Sequence, residues 1–256
     1  MIIHFTKKPE DLTSIIGSGE LLVRYCSEEF YNKKNKISSR AAHPMVSFSN
    51  FLTKTLSNKK VTYGEYGIAF KDKWVKNNNI NPVVYMNNDS FVSSALDVLL
   101  LERRKKESIL SKEVRLAIIK IKCFTKNSYG KNSYSGNNQF NFKKENEWRY
   151  VPTKVQIGNH LISVGQSDYI KNKNILNRNL EKYPLRFQNK DIKAIYVPKD
   201  ELENFVSNFS ELKNIIYISP WEYVDISKKP KPNIGKKDIK RVKVSKAKAS
   251  AIDVTC

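Results

Sequence analysis

Short apolar runs rich in β-branched and aromatic residues are scattered between helical patterns in this chain, without the regular strand–helix alternation that a parallel α/β sheet needs. Strands are predicted over residues 1–5, 21–26, 44–49, 63–70, 81–86, 114–124, 147–152, 194–198 and 214–219. Helices are predicted over 9–19, 91–110, 168–183 and 200–209. The second is expected to be a core helix, because its Phe91, Leu96, Leu99 and Leu100 fall roughly on one face. The pattern predicts an α+β fold with a mixed, largely antiparallel sheet and flanking helices.

The domain limits follow from where core-forming residues stop. Hydrophobic residues make up 40% of the 256 residues and aromatic residues 11%, which is enough apolar surface for a packed core. One α+β domain is therefore predicted over residues 1–226. Residues 227–256 are rich in Lys, Pro and Ser without a core pattern, and they predict a flexible basic tail. The polar segments 27–42 and 126–144 are predicted to be loops.

The charge of the chain is strongly positive. Its formal net charge is +21, from 46 Lys and Arg against 25 Asp and Glu. The segment 227–256 holds ten Lys or Arg and two Asp, so +8 lies there and +13 in the rest of the chain. Such a field favours nucleic acid or another polyanion as a partner, bound through the basic surface and the tail. The alternative is a set of solvated lysines on the surface of a Lys- and Asn-rich protein.

Several classes of protein are excluded by what the sequence lacks. Cys26, Cys123 and Cys256 stand alone without a CxxC pair, so neither a disulfide framework nor a metal site is expected. There is no signal-peptide core and no apolar run of the length that a membrane span needs, so we expect a cytoplasmic protein without a membrane partner. No GxGxxG or GxxxxGK[ST] loop is present to bind a nucleotide.

Four segments carry a resemblance to a known family. They are HPMVSFSNF (43–51), YGEYGIAFKDKWVKNNNINPVVY (63–85), ENEWRYVP (145–152) and LRFQNKDIKAIYVPKDELENF (185–205). In this order and spacing they resemble the AbiGi-like abortive-infection family of bacteria. The resemblance implies a role in phage defence, in which an infected cell stops its own growth. It also implies that the chain is one member of a toxin–antitoxin pair, with a cognate toxin or antitoxin protein as its partner.

A second resemblance concerns chemistry. The opening segment HFTKKPEDLTSIIGSGELLVRY (4–25) is similar to the start of ADP-ribosyltransferase-like families, in which a strand, a short helix and a second strand follow one another. It implies an ADP-ribosyltransferase-like fold and NAD as the cofactor. Those enzymes use a Glu at the start of a later strand, just after a long loop, and Glu147 has that place here. Glu145 shares its face on an extended chain and would raise its proton affinity.

The remaining site residues are assigned by the same resemblance. Residues expected to contact NAD are His4, Thr6, Arg24, Ser47, Tyr63 and Tyr66. Some of the site residues have a structural alternative. Glu147 is also placed to form an ion pair with Arg149, His4 to make an ordinary strand hydrogen bond, and Arg24 to lie on the surface. Ser47 would then belong to the polar face of a half-buried strand.

Three functions follow from these residues. The first is an enzyme, a toxin of a phage-defence system that transfers ADP-ribose from NAD to nucleic acid or to a host protein, with the carboxylate of Glu147 stabilising the positive charge that develops on the ribose. The second is an antitoxin-type protein that neutralises a cognate toxin or binds nucleic acid. The third is a nuclease without a recognisable motif.

Overall fold

The computed structural model describes residues 1–52, 56–57, 59–130 and 140–225. Its helices over these ranges are α1 Pro9–Ser18, α2 Asp72–Asn77, α3 Phe91–Arg104, α4 Lys112–Cys123, α5 Gln166–Leu180 and α6 Leu202–Asn208. Its longer strands are β1 Ile2–Thr6, β3 Arg24–Tyr31, β4 Ile37–Asn50, β6 Tyr66–Phe70, β8 Val84–Met86, β9 Thr125–Asn127, β12 Glu147–Tyr150, β15 Ile192–Val197 and β16 Ile216–Ile218. Two-residue strands are β2 Glu20–Leu21, β5 Lys60–Val61, β7 Asn81–Pro82, β10 Tyr129–Gly130, β11 Phe140–Asn141, β13 Val164–Gly165, β14 Leu185–Arg186 and β17 Glu222–Tyr223.

A large sheet organises the molecule, with strand order β16-β15-β6-β1-β4-β12-β7 and with β3 and β13 also paired to β4. All of its pairings are antiparallel except that of β15 with β16. The 14-residue strand β4 pairs with β3 and β13 through its first part and with β1 and β12 through its last residues. The predicted α+β fold with a largely antiparallel sheet is thereby confirmed.

One face of the sheet carries the main core. Apolar residues of β1, β4, β6 and β15, such as Ile2, Phe48 and Ile68, pack there against helices α1, α2, α5 and α6. Helix α1 begins with Pro9 in its first turn and ends at Gly19, whose φ of 66° is the left-handed conformation that glycine adopts most readily. The first predicted helix is therefore confirmed at both ends.

The opposite face of the sheet is more varied. A second apolar cluster around Ile3, Phe51 and Trp221 covers the β1 and β6 side. On the β3 side, Phe30 packs with α3 and α4 through a third, smaller cluster that includes Leu96, Leu100 and Ile118. Helices α3 and α4 thus form a separate layer on this face.

Two predicted elements are wrong. Residues 114–124 form helix α4 instead of a strand, because Val114, Ile118 and Ile121 also recur at helical spacing and Ser111 Oγ accepts a hydrogen bond from the Val114 N–H at 3.3 Å. Residues 27–42, predicted as a loop, form most of the β3–β4 hairpin, in which Phe30 is fully buried. Backbone hydrogen bonds between β3 and β4 hold this segment in place, so it forms strands although most of its side chains are polar.

Other predictions are confirmed in part. The segment 126–144 is not a simple loop, since β9, β10, β11 and a 3-10 turn at Phe142–Glu145 lie in it, although 131–139 fall outside the described residues. In helix α3 the predicted core residues Leu96 and Leu100 are buried, whereas Phe91 is 95% exposed and Leu99 is 37% exposed. The predicted tail at 227–256 lies outside the described residues, so its flexibility stays a prediction.

Candidate functional sites

The two predicted catalytic carboxylates lie in a network of buried charges under helix α4. Glu147 begins β12 and accepts hydrogen bonds from Arg149 Nε at 2.8 Å, from Lys126 Nζ at 3.2 Å and from Ser47 Oγ at 3.0 Å. Glu145 ends the 3-10 turn before β12 and accepts one from Lys126 Nζ at 2.7 Å. Asn146, between them, has a φ of 43°, so the chain reverses and both carboxylates reach the same lysine.

The network extends from β12 to β3 and α4. Arg149, which is 1% exposed, donates from Nη1 to Glu28 Oε2 at 2.9 Å and from Nη2 to Glu28 Oε1. Lys122 on α4 lies 3.8 Å from the same carboxylate of Glu28. Three carboxylates thus face three cations, and the formal charges of the six groups cancel. A buried charge needs such a partner, because an uncompensated ion loses several kcal/mol of solvation.

Burial and charge pairing set the protonation of this network. Burial alone would raise the pKa of Glu147, but Arg149 and Lys126 outweigh burial and hold that pKa far below its usual range. Glu28 behaves in the same way, with its pKa lowered by Arg149 and Lys122 despite burial. Burial raises the pKa of Glu145, which only Lys126 contacts directly among these cations. Glu147 is therefore held ionised by its partners, which suits an ion pair better than a proton acceptor.

The other predicted site residues divide between the two faces of the sheet. Ser47 and Tyr63 lie with the carboxylates: Ser47 donates to Glu147, and Tyr63 forms a side-chain hydrogen bond with Glu145. His4 lies on the opposite face, with its ring 5.7 Å from that of Phe48 and its Nδ1 2.9 Å from the carbonyl oxygen of Ser47. Burial lowers the pKa of His4, so its imidazole is neutral near pH 7.

Thr6 and Tyr66 share the face of His4, because they are cross-strand partners in the β1–β6 pair and alternate residues of a strand share a face. Thr6 Oγ1 donates to the carbonyl of Lys8 at 3.4 Å, and the Tyr66 ring packs 6.1 Å from that of Phe205. Arg24 is exposed at the start of β3. The structure therefore brings Glu145, Glu147, Ser47 and Tyr63 together, and it separates His4, Thr6 and Tyr66 from them.

Sequence reasoning missed several members of the network. Glu28 lies in a segment predicted as a loop, and Lys122 lies in one predicted as a strand, so neither had a recognisable place. Lys126 bridges the two predicted carboxylates and lies 4.4 Å from the centre of the Phe142 ring. Its position at the start of an apparent loop gave no signal. The pairing of Glu147 with Arg149 at the second position along the strand was the one contact visible in the sequence.

A different feature is found on the outer surface of helix α3. This helix buries Ser93, Leu96 and Leu100. Five other large apolar residues of the helix face outward, compared with the two that are buried. The exposed fractions of these residues are 95% for Phe91, 59% for Val92, 65% for Val98, 37% for Leu99 and 52% for Leu101. A helix that is apolar on all sides normally lies inside a protein or an interface. The outer surface of α3 is therefore a candidate protein-binding surface.

Polar side chains also lie on the inner side of helix α3, beside the buried Leu96 and Leu100. Ser93 Oγ, Asp97 Oδ1 and Arg103 Nε are buried without a hydrogen-bond partner within the described part of the chain. A buried polar atom without a partner destabilises a fold by about 1–3 kcal/mol. The helix consequently leaves polar atoms unsatisfied on its inner side, while a second set of apolar residues faces outward.

The comparisons with known proteins fit this placement. Residues 19–198 match the family model described as "Putative abortive phage resistance protein AbiGi, antitoxin". The chain belongs to the AbiGi family. The match includes β3, β4, α3, α4 and β12, and hence both the charge network and the exposed helix. Neither a search of the curated proteins nor a search of the solved structures found a match.

Two further properties of the described residues bear on function. No helix among them combines the length and the apolar character that a membrane crossing demands. They also hold no cluster of three or more His, Cys, Asp or Glu side chains arranged to bind a metal ion. Cys26 and Cys123 are free thiols, and burial raises the pKa of Cys26 to about 11 and that of Cys123 to about 12.

Proposed function

We propose that this AbiGi-family chain is the antitoxin component of an abortive-infection system and that it acts by binding a toxin protein through the outer surface of helix α3. The observation that carries the proposal is the exposed apolar outer surface of this helix, whose most exposed apolar residue is Phe91, together with the unpaired polar atoms on its inner side. The description of the matching family as an antitoxin supports the same function.

The chemistry of the surface indicates what kind of partner fits. Beside the apolar stripe formed by Phe91, Val98 and Leu101, the end of α3 carries the exposed Arg104, with the exposed Lys105 just beyond. A partner that covers this stripe needs apolar side chains opposite the helix and carboxylates opposite its basic end. Large apolar anchors such as an exposed Phe contribute most of the binding free energy in interfaces of this kind.

Catalysis by the predicted carboxylates has less support in the geometry. Both oxygens of Glu147 are engaged by Arg149, and the histidine assigned to NAD lies on the other face of the sheet. NAD binding and ADP-ribose transfer therefore stay predictions, and they become an alternative outcome of the experiment below.

The proposal is tested by expressing the chain with and without the protein encoded by the adjacent gene of its locus. We expect the chain alone to be harmless, the neighbour alone to arrest growth, and the two together to restore growth and to co-elute in size-exclusion chromatography. The variant Phe91→Ser/Val98→Ser is expected to lose at least about tenfold in affinity, since truncating a central apolar anchor removes more than about 1.4 kcal/mol.

A matched control is available on helix α5. Ile170 and Ile175 are 67% and 60% exposed, so Ile170→Ser/Ile175→Ser removes a comparable exposed apolar pair from another helix. This control should rescue growth as the unchanged chain does. If both double variants rescued growth equally well, the proposal that the toxin binds the outer surface of α3 would be contradicted. Growth arrest by the chain alone, relieved by Glu147→Gln, would contradict the antitoxin proposal and support the transferase prediction instead.

A further inference from the structure

A basic groove of about 770 Å³ lies between helix α2 and the segment that follows strand β14. Its lining includes Lys71, Lys73, Arg186 and Lys190, against a single carboxylate, Asp191. None of its residues belongs to the charge network or to helix α3. The net charge of the lining is therefore +3 within one concave surface.

The backbone that carries these cations is held in place. The Lys71 N–H donates to the carbonyl of Asp191 at 2.9 Å, and the Trp74 indole N–H donates to the carbonyl of Arg186 at 3.1 Å. On the groove floor, the Phe187 N–H donates to the carbonyl of Gly19 at 2.9 Å. A Cβ added at Gly19 would approach the Phe187 carbonyl oxygen to 2.8 Å, so the two segments meet too closely for a side chain.

Little negative charge neutralises the groove from within the protein. Asp191 uses Oδ2 to accept a hydrogen bond from the Gln188 N–H at 2.9 Å, and Arg186 pairs with Glu20 at 3.0 Å on the exposed surface. For Lys71, Lys73 and Lys190, all exposed, no ion pair is formed with any described residue. Three lysine ammonium groups are thus free to bind anions, and the backbone fixes where each side chain begins.

We propose that this groove binds the phosphate groups of a nucleic acid strand or of a free nucleotide. Several cations spaced along a concave surface match a chain of phosphates better than a single carboxylate, and lysine binds phosphate as a point charge without requiring a fixed geometry. The side-chain amides of Asn77 and Gln188 also line the groove and supply neutral hydrogen-bond donors and acceptors. This site is separate from the toxin-binding surface proposed on α3.

The experiment uses the full chain and four probes: fluorescein-labelled single-stranded RNA and DNA of about 12 nucleotides, ATP, and inorganic polyphosphate. The triple variant Lys71→Gln/Lys73→Gln/Lys190→Gln should bind the oligonucleotides at least about tenfold more weakly. The slope of log K against log salt should also fall by about 2, since each phosphate contact on a single strand contributes about 0.7.

Two control variants remove the same charge elsewhere. Lys33→Gln/Lys34→Gln/Lys36→Gln acts in the exposed turn between β3 and β4, and Lys228→Gln/Lys229→Gln/Lys231→Gln acts beyond the described residues. Neither control variant should show the tenfold loss of oligonucleotide affinity that is expected for the groove variant. Equal losses for the groove variant and the turn variant, or a loss confined to the 228–231 variant, would overturn the proposal.

The probes separate the two sources of phosphate. Groove-dependent binding of oligonucleotides that excess ATP does not displace identifies a nucleic acid strand as the ligand. Groove-dependent binding of ATP, with oligonucleotides unaffected by the triple variant, identifies a free nucleotide. Binding of no probe in a manner that depends on the three lysines overturns the site altogether. Thermal unfolding of each variant verifies that these exposed substitutions leave the fold intact.

Discussion

The two faces of the β4–β12 pair are built from the same strands but are held by different forces. On one face Phe48 and Trp148 are cross-strand partners and pack into the apolar core. On the other face, one residue along each strand, Ser47 and Arg149 are partners, and Arg149 joins a network of buried charges. Successive side chains of a strand point to opposite faces of the sheet, so neighbouring residues lie in the apolar core and in the charge network.

The difference shows how each face secures its helices. Helices α1, α5 and α6 are held by apolar area, which is tolerant of small shifts because burial is not directional. Helix α4 packs through the buried Ile118, and it is also held by Lys122, which pairs with Glu28, and by the Cys123 carbonyl, which accepts from Arg149. Charges require defined geometry, so this side of the molecule should fail abruptly when one partner is lost.

The largest effect is expected from Arg149→Met. Removing this cation leaves Glu28 and Glu147 buried without their main partner, and the free energy of unfolding should fall by about 3–5 kcal/mol. Urea denaturation measures it. The double variant Glu147→Gln/Arg149→Met, which removes a charge of each sign, should recover part of the loss. A single variant as stable as the unchanged chain would show that the network contributes little.

The dependence of the unfolding free energy on pH should further distinguish the charged face of the sheet from the apolar face. Burial lowers the pKa of His43, on the charged face, to about 4, and Lys122 adds to this. The unfolded chain protonates His43 near pH 6.5, so stability is complete above that pH and falls by about 3 kcal/mol as the pH drops to 4. His4 adds a loss of the same sign.

The variant His43→Gln isolates that contribution. It should flatten the curve of unfolding free energy between pH 6.5 and 4.5, whereas the losses from Glu28 and Glu147, whose pKa values are lowered, should begin only below about pH 4.5. An unchanged curve in the variant would mean that the pKa of His43 is the same in the folded and the unfolded chain.

A smaller effect is expected on the apolar face. Ile68, fully buried in the main core, loses one methylene in Ile68→Val, and the free energy of unfolding should fall by about 0.5–1.5 kcal/mol. This loss should be the same at pH 7 and pH 5, because no titrating group changes. A clear pH dependence of the difference would break the distinction between the faces.

The smallest effect is expected for Phe91→Ser. Its side chain is 95% exposed, so stability should change by no more than about 0.5 kcal/mol. A loss above about 2 kcal/mol in thermal or urea unfolding would place Phe91 in the fold itself and remove it from the proposed binding surface.

The sequence predicted the elements whose signals are local. Helix α1 was recognisable from Pro9 and Gly19, and β15 from its apolar run. Helix α3 was recognisable from its apolar residues, and in the structure Ser90 caps it by accepting a hydrogen bond from the Ser93 N–H at 3.2 Å. The β3–β4 hairpin was not recognisable from the sequence, because its register depends on backbone pairing across a polar segment. Helix α4 was misread because a short apolar run fits periods of both 2 and 3.6 residues.

The candidate sites were less predictable than the fold. The pair of Glu147 with Arg149 was visible because the two residues are neighbours on one strand. Glu28 and Lys122 join them only through tertiary packing, from segments whose predicted structure was wrong. The separation of His4 from Glu147 follows from the β1–β4 register, which pairs Ile3 with Ser49 and which no local pattern encodes.

Strand β4 has a consequence for how the chain is made. Its Ser49 pairs with Glu147, and β6, on the other side of β1, pairs with β15, whose Ile192 lies opposite Phe70. On a ribosome, the amino-terminal strands therefore emerge long before their partners are synthesised. The sheet closes only late in translation, and until then β4 and β6 present unpaired edges that would pair with any other nascent strand.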